Sequence, residues 1–272
     1  MLGVTEQGYY QWYQRKREAG TARKERLLQT IRRIFFQHKR RYGSPRVYQD
    51  LKEEKLWCGE TQVAKLMREA GLRAKAARKF RITTKSGYSR RVAENVLKRR
   101  FKPDAPNKVW CGDITYLWTR EGFSYLAVFL DLYSRRIVGW SVDRTLSCAL
   151  VLEAFRQAVL LRQPGPGLIV HTDRGSQYTS DQFIGKAQAG QFVLSMSRRG
   201  NCWDNAVVES FFNTLKIEAI KGEDVRTRWQ LRQMLIEYID QYYNSKRRHS
   251  TIDYLAPIEY EKKKWKVQEC GK

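Results

Sequence analysis

The sequence predicts an α/β domain built on a mixed five-stranded sheet with flanking helices, preceded by a smaller all-α unit. Three observations carry this. Three apolar runs with short connections, Val109–Leu117, Tyr125–Leu130 and Arg136–Val142, read as antiparallel neighbours. Helix and strand patterns then alternate. Ahead of them, before residue 74, apolar residues recur at helical spacing instead. With 272 residues, 42% of them hydrophobic and 12% aromatic, the chain has material for one large core or two modest ones.

From Lys24, Leu27, Leu28, Ile31, Ile34 and Phe35 share a helical face, with Arg32, Arg33 and Lys39 on other faces. Ser44 and Pro45 read as the N-cap and first position of a second helix carrying Val47 and Leu51. A third helix from about Thr61 places Val63, Leu66, Met67 and Ala70 together, and Gly71 ends it. Three short helices with basic outer faces fit a helix-turn-helix module over residues 1–80. Residues 81–106 read as a basic linker containing Lys98, Arg99 and Arg100 and closing with Pro103 and Pro106. Such a run is either solvated surface or a phosphate-tracking connector.

The larger domain is expected over residues 107–262, with a basic tail over 263–272. The second and third strands are joined by a turn at Asp131–Ser134. Ser147–Leu161 follows as an amphipathic helix with Leu150, Ala154, Ala158 and Leu161 on one side, stopped by the Pro164-Gly-Pro-Gly167 breaker. A strand at Leu168–Val170, a helix over Ser180–Ala189 and a strand at Phe192–Ser195 complete the sheet. This order is of the ribonuclease-H type and puts Asp113 and Asp173 on adjacent strands. Beyond the loop Arg198–Asp204, a helix over Asp204–Lys216 carries Glu209, and Arg226–Tyr243 reads as one long helix. At about 100° per residue, Asn205, Asn213 and Lys216 fall within roughly 40° of Glu209. Val207, Phe211 and Leu215 gather on the opposite, buried side.

Asp173 ends a strand, where open α/β sheets handle ligands. A lone Asp there serves as a turn former or a cap; Asp113 and Glu209 give this one company. Three carboxylates brought together repel one another unless a cation neutralises them. Oxygen-only ligands suit Mg²⁺, with Mn²⁺ as a substitute, and two such ions can clamp the attacking and leaving oxygens of a phosphoryl displacement. The residues therefore point to metal-dependent phosphodiester chemistry.

Asp113 in W-C-G-D-I-T-Y, Asp173 in H-T-D-R-G-S-Q-Y and Glu209 in D-N-A-V-V-E-S-F-F-N-T-L-K resemble the DDE triad of bacterial insertion-sequence transposases. The resemblance is to the second-frame (OrfB) subunit, whose catalytic core is akin to retroviral integrase. The last two acids are 36 positions apart (209 − 173), the separation that group uses. Y-G-S-P-R and M-R-E-A-G-L resemble the family's helix-turn-helix, and Tyr243-Asn244 with Arg247 and His249 its closing motif. The resemblance implies cleavage at element ends and strand transfer by direct transesterification, with Asp113, Asp173 and Glu209 as catalytic and metal-binding residues. It also implies double-stranded DNA as partner, at both element ends and target, and a homo-oligomer on it. Met1–Arg17 resembles the start of the OrfB frame, which such elements can also translate as a fusion with an upstream frame. Lys216 and Asn213 on the Glu209 helix, with Arg198, Arg199, Lys98, Arg99 and Arg100, are the expected DNA contacts. His171, beside Asp173, is expected to support the site without being a ligand; His249 is expected to be structural or to touch phosphate, with a catalytic base as the alternative.

The net charge of +24, from 52 Lys and Arg against 28 Asp and Glu, favours a polyanionic partner and salt-sensitive binding. Five cysteines without a C-x-x-C pair and only three histidines argue against a zinc site or a disulfide framework. With no apolar run of about 18 residues and no signal peptide, a soluble protein of the bacterial cytoplasm, associated with the nucleoid, is expected. Two other readings fit some of these residues: a nuclease of the same fold that only hydrolyses, and a non-enzymatic DNA-binding regulator.

Overall fold

The computed structural model describes residues 5–75, 93–198 and 202–269. The chain forms two compact units, Met1–Ala76 and Ala77–Lys272.

The first unit is three helices, α1 (Glu6–Gln37), α2 (Ser44–Glu53) and α3 (Glu60–Glu69). α1 begins far upstream of the expected Lys24, where the Thr5 hydroxyl accepts from Gly8 N–H. Only its second half is buried: Leu27, Ile31, Ile34 and Phe35 pack with Val47, Leu51, Val63, Leu66 and Met67 in the core, while Tyr9, Tyr10, Trp12 and Tyr13 are exposed. Gly43, not Ser44, is the N-cap of α2, so Pro45 sits one position deeper in the first turn. It costs no bond there, because the first turn's N–H groups have no helical partner. Gly71 closes α3 at φ +68°, its N–H on Arg68 O and that of Leu72 on Met67 O. This doubly bonded stop satisfies the last carbonyls.

The second unit holds a five-stranded sheet of β1 (Val109–Thr119), β2 (Gly122–Asp131), β3 (Ile137–Asp143), β4 (Ile169–Thr172) and β5 (Val193–Met196), in the order β3-β2-β1-β4-β5. The first three are antiparallel; β4 and β5 are parallel to β1. Helix α4 (Cys148–Arg162) lies on one face, its N-cap Ser147 accepting from Leu150 N–H. It packs so closely that a Cβ on Gly139 of β3 would stand 2.2 Å from Ala154 O, so only glycine fits. Leu150, Val151, Ala154, Phe155 and Ala158 form its buried side, with Trp110, Phe129, Tyr178 and Phe183 across the core. Leu161, expected on that side, is exposed. The stripe runs on instead to Arg162, whose guanidinium is neutralised by Glu261 and held by Asn107. Helix α5 (Asp181–Ala189) is capped by Ser180 and joins β4 to β5.

Residues 93–106, expected as linker, belong to this unit. Val96 N–H and Leu97 N–H donate to Ser195 Oγ, and Met196 N–H donates to Glu94 O, so the segment covers the outer edge of β5. Residues 81–92 of the expected linker lie outside the described residues.

The remaining helices depart from the expected regular ones. α6 (Ala206–Leu215) continues as a π-helix over Lys216–Ile220, and α7 (Arg228–Leu235) as another over Ile236–Tyr243. The two π segments meet through buried charge. Glu218 of the first accepts from Arg247 Nε and Nη2 at 2.8 Å each and from the Tyr238 hydroxyl of the second at 2.9 Å. Asn244 then pairs its side-chain amide with both the N–H and the C=O of Ile137, the first residue of edge strand β3. α8 (Pro257–Glu269) runs into the expected tail, whose residues 270–272 lie outside the described ones, and brings Glu261 to Ser134, Arg136 and Arg162.

Removing one partner of a buried, bidentate ion pair leaves the other charge uncompensated. Arg247→Leu is expected to cost about 3–5 kcal/mol of unfolding free energy. Chemical denaturation measures it, and a loss below about 1 kcal/mol, typical of exposed pairs, would contradict the packing described.

Candidate active site

The geometry of the site follows from unequal strand lengths. β4 is four residues long beside an eleven-residue β1. Val109 pairs with Ile169, Trp110 with Val170 and Cys111 with His171. Two residues further in the same register, Asp113 and Asp173 come level, the second just past the end of β4. Asp113 Oδ1 accepts from Ile114 N–H at 2.8 Å, and Asp173 Oδ1 from Gly175 N–H at 2.9 Å in the following turn. Among the described residues, neither aspartate has a salt bridge.

Beyond Cys111 the flank of β1 left by β4 is met by the start of α6. Asn205 is buried and its Nδ2 donates to Gly112 O at 3.3 Å, next to Asp113. It precedes the helix proper, at φ −121° and ψ 20°, and does not share the exposed face of Glu209. The buried stripe of α6 is Val208, Phe211, Phe212 and Leu215, with Val207 only half-buried. Just before it, the buried Asp204 carboxylate is held by Asn95 Nδ2, Arg99 Nε and both the backbone N–H and Nε of Arg198, at 2.9–3.1 Å. These donors keep Asp204 far below the usual carboxylate range.

Glu209 is exposed in the first turn of α6, and its charge reaches Asp113. Among the described residues no three His, Cys, Asp or Glu side chains are gathered into a ready metal cage: the aspartates are paired and Glu209 stands off. Burial raises the pKa of Asp113 well above the ordinary value, and the charges of Asp173 and Glu209 raise it further. Burial also raises Asp173, against the Gly175 N–H that lowers it, and partial enclosure raises Glu209. Lys216 is half-buried, its Nζ 4.7 Å from the centre of the Tyr116 ring. Burial lowers its pKa, and the charge of Asp113 opposes that. Helical side chains point toward the N-terminus, which turns Lys216 back along α6.

The other expected DNA contacts are dispersed. Asn213, Lys98 and Arg100 are exposed; Arg99 and Arg198, themselves exposed, each donate to Asp204; Arg199 lies outside the described residues. His171 is buried between Ser195 Oγ at 2.9 Å and Ser197 Oγ at 3.2 Å, and burial lowers its pKa. His249 Nε2 meets Arg247 Nη1, and its ring is edge-on to Tyr243. Sequence reasoning missed the anchoring carboxylates Asp204 and Glu218; an acid followed by Asn before an apolar helix was the one available signal for the first.

Residues 103–202 and 191–257 match the integrase core domain family, and residues 22–80 an HTH-like domain. The transposase of insertion sequence element IS904 from Lactococcus lactis is 44% identical over 240 residues, 88% of this chain and 94% of that protein. The chain belongs to the insertion-sequence transposases. Transposase InsF of IS3A from Escherichia coli is 39% identical over 97% of this chain and 92% of its own. The fold is shared with a simian T-cell lymphotropic virus intasome in complex with the PP2A regulatory subunit B56 gamma, at a TM-score of 0.50 and 15% identity over 85% of this chain and 73% of that one. This transposase is thus a DNA-processing enzyme with an integrase-type core, which sets aside the hydrolysis-only and the non-enzymatic readings. No helix among the described residues is long and apolar enough to cross a membrane.

An acid whose pKa is raised by the fold takes up protons on folding. The charge of Asp113 therefore opposes folding at neutral pH, and the penalty fades as pH falls through the raised value. Asp113→Asn is expected to raise the melting temperature of the cation-free transposase at neutral pH, by about 2–4 °C per kcal/mol relieved. The gap should close as the pH is lowered. Differential scanning calorimetry across pH checks this; a variant melting at or below wild type at neutral pH would sink the electrostatic account.

Proposed function

We propose that Asp113, Asp173 and Glu209 form the catalytic and metal-binding centre of this transposase. The observation that carries the reading is the level placement of Asp113 and Asp173 across β1 and β4, enclosed and, among the described residues, without a salt bridge. An all-oxygen donor set held in that state fits a hard divalent cation. Mg²⁺ ions bound there, with Mn²⁺ as a substitute, would stabilise the attacking and leaving oxygens of phosphodiester displacement. Glu209 completes the set from α6, whose start is fixed by Asn205 on Gly112 O and by the Asp204 clamp. Lys216 and Asn213 lie on or directly after that helix and face the DNA end, Lys216 close enough to the acids to contact a phosphate beside the reacting one.

The substrate is double-stranded DNA, first the element's terminal repeats and then the target. Water is directed at the end to release a 3′-hydroxyl, and the same site directs that hydroxyl at a second phosphodiester without a covalent enzyme intermediate. The helical unit supplies DNA binding, with Lys98, Arg99, Arg100, Arg198 and Arg199 as further phosphate contacts around the core. The protein works in the cytoplasm as a homo-oligomer on DNA, alone or fused to an upstream frame.

Incubation with element ends and Mg²⁺, resolved on a denaturing gel, is expected to yield nicked and joined products. Asp113→Asn, Asp173→Asn and Glu209→Gln should each reduce both to the cation-free level while DNA binding persists; wild-type joining in any one would remove that residue from the centre. A fragment of residues 1–80 should bind duplex DNA, with log K falling against log salt at a slope of about −0.9 per phosphate contacted. Binding confined to residues 107–272 would refute the assignment of the helical unit.

A further inference from the structure

The sheet face covered by α4 and α5 runs out before the strands do. Ile114 of β1 and Tyr125 of β2 are the outermost residues of these strands packed against the core there. Past them the β1–β2 hairpin carries three large rings into solvent: Tyr116 is 49% exposed, Trp118 60% and Phe123 48%. Strand alternation puts all three on one face. The register sets Trp118 directly opposite Phe123, and Tyr116 opposite Tyr125. The rings meet edge-on, Phe123 at 4.8 Å from Trp118 and 5.7 Å from Tyr116. None is stacked on another, so ring faces that a stack would cover remain open. Cross-strand aromatic pairs steady a hairpin, but a contiguous exposed patch of them is also the mark of a binding surface.

A cation stands on the rim of this patch. Lys216 Nζ lies 4.7 Å from the centre of the Tyr116 ring, and the residue directly follows α6, which carries Glu209. Tyr116 and Trp118 lie three and five residues beyond Asp113 on β1, about 10 and 17 Å along the strand. They face the other side of the sheet from Asp113, and Lys216 is the side chain that connects their face with the helix of Glu209. An apolar protein surface would cover the rings but leave this half-buried ammonium without an anion. A nucleotide satisfies both: its base has a π-face for the rings, and its phosphate a charge for the lysine. Aromatic side chains that stack successive bases beside a cationic track are how single-stranded nucleic acid is held. In a closed duplex the base faces are shut inside, so unpaired bases are the ones that fit.

We propose that Tyr116, Trp118 and Phe123 form a platform for unpaired bases of the DNA end, with Lys216 on the phosphate that links them. The inference rests on the acidic centre proposed above for its purpose, to hold an opened strand near the reacting phosphodiester, while the binding itself is measured without the reaction.

The test compares the full-length wild type with Trp118→Leu and Trp118→Phe on fluorescently labelled probes: an element end with a short unpaired thymidine tail, the same end blunt, and the tail strand alone. Titrations at one fixed salt concentration give the affinities. Wild type is expected to bind the tailed end more tightly than the blunt one. Trp118→Leu should lose about tenfold on the tailed end and on the free strand, as for one stacked base, and nothing on the blunt end. Trp118→Phe, which keeps a ring, should retain most of the preference. The variants should melt within about 3 °C of wild type. Equal affinity of wild type for tailed and blunt ends, or an unchanged preference in Trp118→Leu, would reduce the rings to hairpin packing and overturn the proposal. An equal loss on both ends would also overturn it, since the ring would then lie under a closed base pair. So would a larger fall in melting temperature, or a smaller DNA-free assembly of Trp118→Leu in sedimentation, because the patch would then be covered by the chain itself or by a second copy. Asp113→Asn separates the two readings: wild-type joining by that variant would remove the acidic centre, while the tail preference is read from binding alone.

Discussion

β4 stops after four residues while its neighbour β1 continues for eleven, and the candidate site depends on that mismatch. Were β4 as long as β1, the whole flank of β1 would be hydrogen-bonded, and α6 could not reach it. The early stop places Asp173 in a turn, level with Asp113, and frees Gly112 O to receive Asn205. It also opens the end of the sheet, so that two aspartates can be enclosed by protein on most sides and still meet a substrate. That enclosure raises the pKa of both, by burial first, and the charge of Asp173 raises Asp113 further.

Around that opening the fold spends its buried charge on attachment. Glu218 with Arg247 joins the two π-helical segments, Glu261 with Arg136 and Arg162 fastens α8 to the sheet, and Asp204 gathers Asn95, Arg99 and Arg198 at the entry to α6. Each brings segments far apart in sequence to one carboxylate. Such pairs contribute little net stability compared with apolar packing, and their use is to fix geometry. Asp113 and Asp173 stand apart from all three as carboxylates without a salt bridge among the described residues.

The sheet was legible from the sequence because period-two runs, short turns and the Pro164–Gly167 breaker are local signals. The strands, their order and the paired aspartates follow from them. What was illegible depends on tertiary partners. Arg162 could replace Leu161 in the buried stripe of α4 only because Glu261 waits a hundred residues away. The π segments were read as regular helix because a helical wheel assumes one angular step throughout, and Lys216 sits at the changeover. Asn205 was assigned to the wheel of α6 although its backbone is not yet helical. That Arg99 and Arg198 also hold Asp204 was illegible because nothing in their neighbourhood announces that this acid will be buried beside them.

The Asp204 clamp has a further consequence for how α6 is held. Arg198 and Asp204 are bonded directly to each other, and Asn95 and Arg99 reach the same carboxylate. The end of β5, the segment before β1 and the start of α6 are thus moored at one point, with Asn205 beside it on Gly112 O. Loss of that one carboxylate would slacken all three moorings together, and the footing of Glu209 with them.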